Sequence, residues 1–336
     1  MNNRDSKNIS VIGDGGWGTT LAVHLAKKGC RLRLWGPFPA ALKEMQATRI
    51  NSRFLPGIRL PENILIEADL AMALTTAQMI VFAIPSRFAH AVLRKMAATK
   101  VEFSKKIFIS VTKGIDTKNL LPISRLIEKE LGPARIVVLS GPNIAGEVVR
   151  EIPSTAVAAS RQSSAAQTVQ AVFNSEYFRV YTNTDVIGVE LGGSLKNVMA
   201  LACGVCDGLG FGTNTKAALM TRALPEMIRL GKAFGAKSNT FSGLSGLGDL
   251  ITTAFNPQSR NRTVGEQLGQ GRKIQDILSS MKMVAEGVET VKAVYPLSQK
   301  LKIDMPITTE MYRIIYRKKS PLAAVAALMT RKMKAE

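Results

Sequence analysis

The sequence predicts an α/β domain over residues 1–184 followed by an all-α domain over residues 185–336, and three observations carry this. Short unbroken apolar runs rich in Val and Ile recur through the first half. Amphipathic stretches separate them. After about Asp185 the runs stop, and apolar residues recur only at intervals of three and four.

The strands are expected at residues 9–12, 31–35, 79–84, 107–111, 136–140, 155–159 and 178–182. Unbroken apolar runs are how strands covered on both faces read. The helices expected between them include residues 19–28, 120–131 and 164–173. Alternation of this kind predicts a doubly wound parallel sheet with right-handed crossovers. Residues 51–61 hold two prolines and a glycine, which break either period, and are expected to form a long loop. In the second half Ile187, Leu191, Leu195, Val198 and Ala202 make one helical stripe. Further helices are expected at 215–234, 262–268, 274–280, 288–300 and 306–315.

Composition narrows the function classes. Lys and Arg number 45 against 25 Asp and Glu, a net charge of +20. Such a balance favours anionic partners, from nucleic acid to small phosphorylated substrates. The basic residues are dispersed, however. Their dense runs are only Arg317 to Lys319, Arg331-Lys332 and Lys334, with none of the interleaved aromatics of a nucleic-acid binder. Nucleic acid is therefore not expected as a partner. Three cysteines, Cys30, Cys203 and Cys206, are too few for a disulfide scaffold and fit a reduced, cytoplasmic setting. Cys203 and Cys206 form a C-x-x-C pair inside an apolar helical pattern. Without a second pair of ligands they read as packed thiols, and no metal is expected. No run of about eighteen apolar residues occurs, so stable membrane insertion is not expected. The polar start, residues 1–8, offers no cleavable signal pattern.

The first strand runs into Gly13-Asp14-Gly15-Gly16-Trp17-Gly18 and then into a helix. This is G-x-G-x-x-G in its required setting, the Rossmann dinucleotide fingerprint. The first glycine allows the tight turn, the second the approach of a pyrophosphate, the third close helix–strand packing. The helix start adds free N–H groups and a partial positive charge. The second strand ends Trp35-Gly36-Pro37-Phe38, with no acid for a ribose hydroxyl and no arginine for a 2′-phosphate. The cofactor is NAD(P), with the choice open.

The second half holds three polar constellations. Gly192-Gly193-Ser194 precede Lys196 in one helix. Two adjacent helical glycines cost about 1 kcal/mol each relative to Ala and imply close packing against a ligand or another backbone. A lysine shielded from water beside another cation has a lowered pKa and exchanges protons near neutrality; the alternative is a snorkelling surface lysine. Asp249 follows Gly246-Leu-Gly and would orient a lysine or hold a hydroxyl, or else be a helix N-cap. Ser259-Arg260-Asn261-Arg262 suits a phosphate, or else the polar start of a surface helix.

Taken together, residues 13–21, 81–86, 112–114, 140–147, 187–198, 206–212, 246–253, 259–262 and 284–287 resemble the NAD(P)-dependent glycerol-3-phosphate dehydrogenases, in that family's order and along nearly the whole chain. The resemblance implies a helical second domain like the C-terminal domain of 6-phosphogluconate dehydrogenase. It implies interconversion of sn-glycerol 3-phosphate and dihydroxyacetone phosphate, supplying glycerophospholipid synthesis, by a cytoplasmic homodimer. Lys196 would be the proton acceptor, with Lys113 and Asp249 beside it. Lys113, Gly141, Asn143, Lys196, Asp249, Ser259, Arg260 and Asn261 would bind substrate. Gly13, Gly15, Gly16, Trp17, Gly18, Lys113, Ala145, Arg260, Val284 and Glu286 would touch the cofactor. Three positions depart from the bacterial pattern. Gly16 replaces serine and loses a side-chain contact to phosphate. Asn143 replaces threonine. Pro37 replaces the arginine or histidine often found near the adenosine ribose. Sister dehydrogenases acting on 3-hydroxyacyl-CoA or 6-phosphogluconate would share the first half but lack the segments around Asp249 and Arg260. A basic binding protein that had lost catalysis would have no reason to keep Lys113, Lys196 and Asp249 together.

Overall fold

The computed structural model describes residues 7–281, 283–333 and 335; residues 1–6 of the polar start and Lys334 of the basic run lie outside the described residues. The chain divides into two compact units. One comprises Met1–Thr112 and Ile123–Val186, the other Lys113–Pro122 and Ile187–Glu336.

The first unit runs β1 (Asn8–Ile12), α1 (Gly16–Lys27), β2 (Arg31–Trp35), α2 (Pro39–Thr48), β3 (Ile50–Asn51), β4 (Leu55–Arg59), β5 (Ile64–Glu67), α3 (Leu70–Thr75), β6 (Met79–Phe82), α4 (Ser86–Ala98), β7 (Ile107–Ser110), α5 (Ile123–Leu131), β8 (Arg135–Ser140), α6 (Ala145–Val148), β9 (Ser154–Ala159), α7 (Ser163–Phe173) and β10 (Phe178–Asn183). Among the described residues, eight strands form one sheet in the order β10-β9-β8-β7-β6-β1-β2-β5. All neighbours are parallel except β8 and β9. The strand order reverses between β1 and β6, and ligands of open α/β sheets bind at the carboxyl ends of strands at such a point.

Both faces of the sheet are covered, which explains the unbroken apolar runs. Ile9, Val11, Met79 and Val81 pack with Leu21, Leu25, Val169 and Phe173 from α1 and α7. Ile12, Ile80, Phe82 and Phe108 turn the other way, onto Leu93, Leu126 and Ile127 from α4 and α5.

Two details differ from the sequence pattern. Residues 51–61 are not a long loop. Most of them belong to the β3–β4 hairpin, paired Ile50 to Arg59 and Asn51 to Leu55 with a bulge. Pro56 and Gly57 lie inside β4 and hide its alternation; a two-stranded ribbon tolerates proline because its outer edge needs no donor. The hairpin matters because Asn51 Nδ2 donates to the Asp14 carbonyl at 2.7 Å and to Thr19 Oγ1 at 2.8 Å, bracing the glycine turn. The helix expected from residue 120 begins instead at Ile123. Residues 113–122 leave the sheet and fold into the second unit. Ile115 is buried in the helical core, and Asp116 N donates to the Leu121 carbonyl at 2.9 Å.

The second unit continues with α8 (Val186–Gly208), α9 (Thr213–Ala233), α10 (Asp249–Phe255), α11 (Arg260–Gly269), α12 (Ile274–Ser279), α13 (Glu286–Lys300), α14 (Pro306–Arg317) and α15 (Pro321–Met329). A 3-10 turn, Ser238–Ser242, and a π-helical turn, Leu244–Gly248, lead into α10. Helix α8 is the axis of this unit. It is long and apolar enough to cross a membrane, but its most apolar stretch is wholly buried among the other helices. Cys203 and Cys206 are buried along it, and loss of hydration pushes their thiols up to about 12 and about 11. They therefore pack as small apolar groups at neutral pH.

Glycines set how closely α8 and α11 cross. A Cβ on Gly204 would overlap the Arg262 carbonyl, and one on Gly265 the Leu201 carbonyl. One on Gly269 would lie 2.5 Å from the Val205 carbonyl. The spacings 204/208 and 265/269 put each pair on one helix face. Backbone therefore meets backbone, and the first turn of α11 is held beside α8.

Candidate active site

In the first unit the glycine turn lies at the strand-order reversal. Gly13 has φ +120°, and a Cβ there would lie 2.7 Å from the Ala83 carbonyl just after β6. Its N–H donates to the Trp35 carbonyl at 2.8 Å. A Cβ on Gly18 would overlap the Gly13 carbonyl, so α1 lies directly on the turn. Gly15 faces open space. It is the N-cap of α1, and among the described residues no side chain caps it and the first turn carries no acid. The leading N–H groups of α1 are thus free for an anion.

Further polar atoms await a partner nearby. Among the described residues, Trp17 Nε1, Ser110 Oγ at the end of β7 and Ser140 Oγ at the end of β8 are buried without a hydrogen bond. Buried polar atoms normally find partners, so these fit a polar ligand along the carboxyl ends of the strands. The turn, the uncapped helix and these atoms suit a dinucleotide. Asn143 Nδ2 donates to the Thr155 carbonyl at 2.8 Å, and Gly141 has φ +154° with no room for a Cβ against that same carbonyl. Ala145 opens α6, and its carbonyl accepts from Thr20 of α1 at 3.3 Å. Gly16 proves to be a steric requirement of the turn, since a Cβ there would lie 2.9 Å from the Phe54 carbonyl of the hairpin.

In the second unit one carboxylate gathers two ammonium groups. Asp249 Oδ2 lies 2.5 Å from Lys113 Nζ, and Oδ1 lies 2.9 Å from Lys196 Nζ. Asp249 is 1% exposed and Lys196 6%. Asp249 is the first residue of α10, and its carboxylate is spent on the lysines rather than on capping, which excludes the N-cap reading. The surface-lysine reading of Lys196 falls by its burial. Thr253 Oγ1 accepts from Lys196 Nζ at 2.5 Å and donates to the Asp249 carbonyl at 2.7 Å. Thr253 was not legible as a site residue, although its place four residues after Asp249, one turn along α10, was a usable signal.

The glycines before Lys196 serve this arrangement. A Cβ on Gly192 would lie 2.9 Å from the Ser245 carbonyl, so α8 packs on the π-helical turn that presents Asp249. Ser194 Oγ donates to the Gly114 carbonyl at 3.2 Å and Asn197 Nδ2 to the Lys113 carbonyl at 3.1 Å. Those bonds hold Lys113 against α8.

Electrostatics follow from burial. Loss of hydration pulls Lys196 down to about 8; Asp249 opposes this, while Lys113 and Arg260 add to it. Buried Lys196 and partly buried Lys113 share the Asp249 carboxylate, so positive charge gathers here, as it does where anions bind.

Arg260, the first residue of α11, donates to the Val284 carbonyl at 2.7 Å, and the Glu286 charge acts on it. Ser259 and Asn261, expected to bind substrate, also make bonds that position α11. Ser259 caps α11, accepting from Arg262 N at 3.3 Å. Asn261 is buried between helices, donating to Asn197 Oδ1 and accepting from Gly287 N, each at 2.9 Å. Both side chains help to hold α11 in place.

The two units match two family models, the N-terminus of NAD-dependent glycerol-3-phosphate dehydrogenase over residues 8–166 and its C-terminus over residues 185–326. The chain is 47% identical to glycerol-3-phosphate dehydrogenase (NAD(P)+) of Citrifermentans bemidjiense, over 98% of this chain and 99% of that protein. Among solved structures it is similar to the Coxiella burnetii glycerol-3-phosphate dehydrogenase, with TM-score 0.93 and 38% identity over 97% of this chain and 99% of that one. It is also similar to the Plasmodium falciparum enzyme, with TM-score 0.88 and 27% identity over 98% and 97% of the two chains. The chain belongs to the NAD-dependent glycerol-3-phosphate dehydrogenase family.

Proposed function

We propose that the protein interconverts dihydroxyacetone phosphate and sn-glycerol 3-phosphate with NAD(P), supplying the backbone of glycerophospholipids. The observation that carries this reading is Lys196, a buried amine of lowered pKa held with Lys113 on Asp249. Residues 13–18 and Ala145 would hold NAD(P), which would supply or accept the hydride.

The chain's own residues do the rest. In the reductive direction the Lys196 ammonium donates a proton to the substrate's carbonyl oxygen as that oxygen gains charge; in the oxidative direction the neutral amine takes the hydroxyl proton. Lys113 polarises the same oxygen. Asp249 gives one oxygen to each lysine and fixes both Nζ atoms, and Thr253 restricts the swing of Lys196. Arg260 takes the substrate phosphate. Binding there, away from the reacting carbon, is spent on orienting the ketone. Gly141 and Asn143 complete the substrate contacts by the family resemblance, which also carries the roles of Val284 and Glu286 towards the cofactor. Homodimeric assembly and a cytoplasmic location follow from that resemblance too, and light scattering with cell fractionation tests them.

The deciding experiment follows NADH or NADPH absorbance with dihydroxyacetone phosphate as substrate. Consumption with at least one cofactor is expected, and none with either overturns the reading. Two variants test its parts. Gly15→Val puts a side chain into the open space above the turn and is expected to fold yet bind neither cofactor; normal binding would move the seat elsewhere. Arg260→Ala is expected to raise the KM for dihydroxyacetone phosphate by about 10- to 100-fold, the worth of a charge-assisted contact, with a smaller change in kcat. An unaltered KM would remove the phosphate-anchoring role.

A further inference from the structure

Asp14 is a buried acid that the mechanism does not use. It occupies the second position of the glycine turn, and its carboxylate reaches the tip of the neighbouring strand. Strands β1 and β2 are parallel with Ile12 beside Trp35, so the residue two past β1 comes to lie beside Gly36, one past β2. A Cβ on Gly36 would stand 2.5 and 2.7 Å from the two carboxylate oxygens of Asp14. Gly36 therefore leaves the space that this carboxylate fills. The backbone is fixed as well, since the Asp14 carbonyl accepts from Asn51 Nδ2 at 2.7 Å and Thr19 Oγ1 at 3.1 Å.

The tip of the second strand is where dinucleotide-binding sheets tell NAD from NADP. An acid there accepts hydrogen bonds from the ribose hydroxyls, whereas an arginine there accommodates a 2′-phosphate. This chain has no acid in that segment, but it has delivered one from the adjacent turn. The basic residues of the region are engaged. Arg33 pairs with Glu67 at 2.8 Å. Arg53 lies over Phe38 and Phe54, at 5.5 and 4.9 Å from the ring centres, and its charge acts on Asp14. Burial raises the Asp14 pKa and Arg53 opposes that rise, so the acid is held beside a cation it partly neutralises.

We propose that Asp14 makes this enzyme prefer NADH over NADPH, standing in for the acid missing from the end of β2. The proposal rests on the cofactor seat described above. A carboxylate facing a 2′-phosphate is a like-charge contact, which disfavours NADPH by at least about tenfold.

The test is the Kd of NADH and of NADPH by fluorescence titration without substrate, together with the ratio of kcat/KM for NADH to that for NADPH, in the unmodified enzyme and in Asp14→Asn, which keeps the shape and removes the charge. The unmodified enzyme is expected to favour NADH by at least about tenfold. In Asp14→Asn the Kd and KM for NADH should rise and those for NADPH fall, bringing the ratio down by about tenfold. A purely structural Asp14 would move both constants the same way. That result, an unmoved ratio, or an original preference for NADPH overturns the proposal. If Arg53 instead recruits the 2′-phosphate, Arg53→Ala would lose NADPH use selectively, and that outcome also overturns it. Normal NADH binding by Gly15→Val is a separate failure, because it would displace the seat and not merely the role of Asp14.

Discussion

Lys196→Ala is expected to lower turnover by about 10²- to 10⁴-fold, the usual worth of a positioned general acid–base, while cofactor binding stays close to normal. The reason is local. Lys196 Nζ is held by Asp249 and Thr253, so alanine removes the proton carrier and leaves the glycine turn of the other unit untouched. Single-turnover kinetics with a cofactor titration separate the two effects, and undiminished turnover would take Lys196 out of the mechanism. The pH dependence carries a sign. With Lys196 near 8, reduction needs the ammonium and should fall as pH rises through about 8; oxidation needs the free amine and should rise through the same range. Both profiles should lose that step in the variant. Stability is linked in the same direction. The folded state binds fewer protons at this site than an unfolded lysine between about pH 8 and 10.5, so the contribution of Lys196 grows as pH rises across that window and is lost as pH falls through about 8.

Gly204→Ala should be among the most destabilising small substitutions in the helical unit, costing about 3 kcal/mol as an overpacked core site with no rotamer to relieve it. The added methyl would overlap the Arg262 carbonyl, a rigid backbone atom. Relief requires α8 and α11 to separate. Lys196 rides on the first of these helices and Arg260 begins the second, so whatever folded protein remains should also bind the substrate poorly. Chemical denaturation gives the stability loss directly. A loss below about 1 kcal/mol would mean that the helices are not in backbone contact.

Much of this architecture was legible before the fold was known. Seven of the eight sheet strands announced themselves, most of them as unbroken apolar runs because both faces of the sheet are covered, while Arg31–Trp35 and Phe178–Asn183 alternate. The eighth, Ile64–Glu67, alternates in burial and is only four residues long, too short to stand out from a loop. The β3–β4 hairpin was hidden by Pro56 and Gly57. Lys196 was visible because adjacent glycines in a helix have no local justification, and Asp249 because Gly246 and Gly248 imply a bend that presents it. Thr253 was not, since a threonine in a helix is ordinary until a lysine reaches it. Ser259 and Asn261 were visible as polar residues but not as braces, because a cap and a buried amide bridge depend on which helix lies alongside.

Sequence alone determined the two-part plan, the glycine turn between strand and helix, and the residue types able to hold a phosphate and move a proton. These are local matters of period, turn geometry and side-chain chemistry within a few residues of one another. Only the tertiary structure decided that residues 113–122 leave the sheet, so that Lys113 and Lys196, 83 positions apart in the chain, share a single carboxylate. It also decided that the acid at the tip of β2 comes from the neighbouring turn. Both outcomes depend on long-range packing, where burial sets the pKa of an amine and a missing Cβ opens room for a carboxylate.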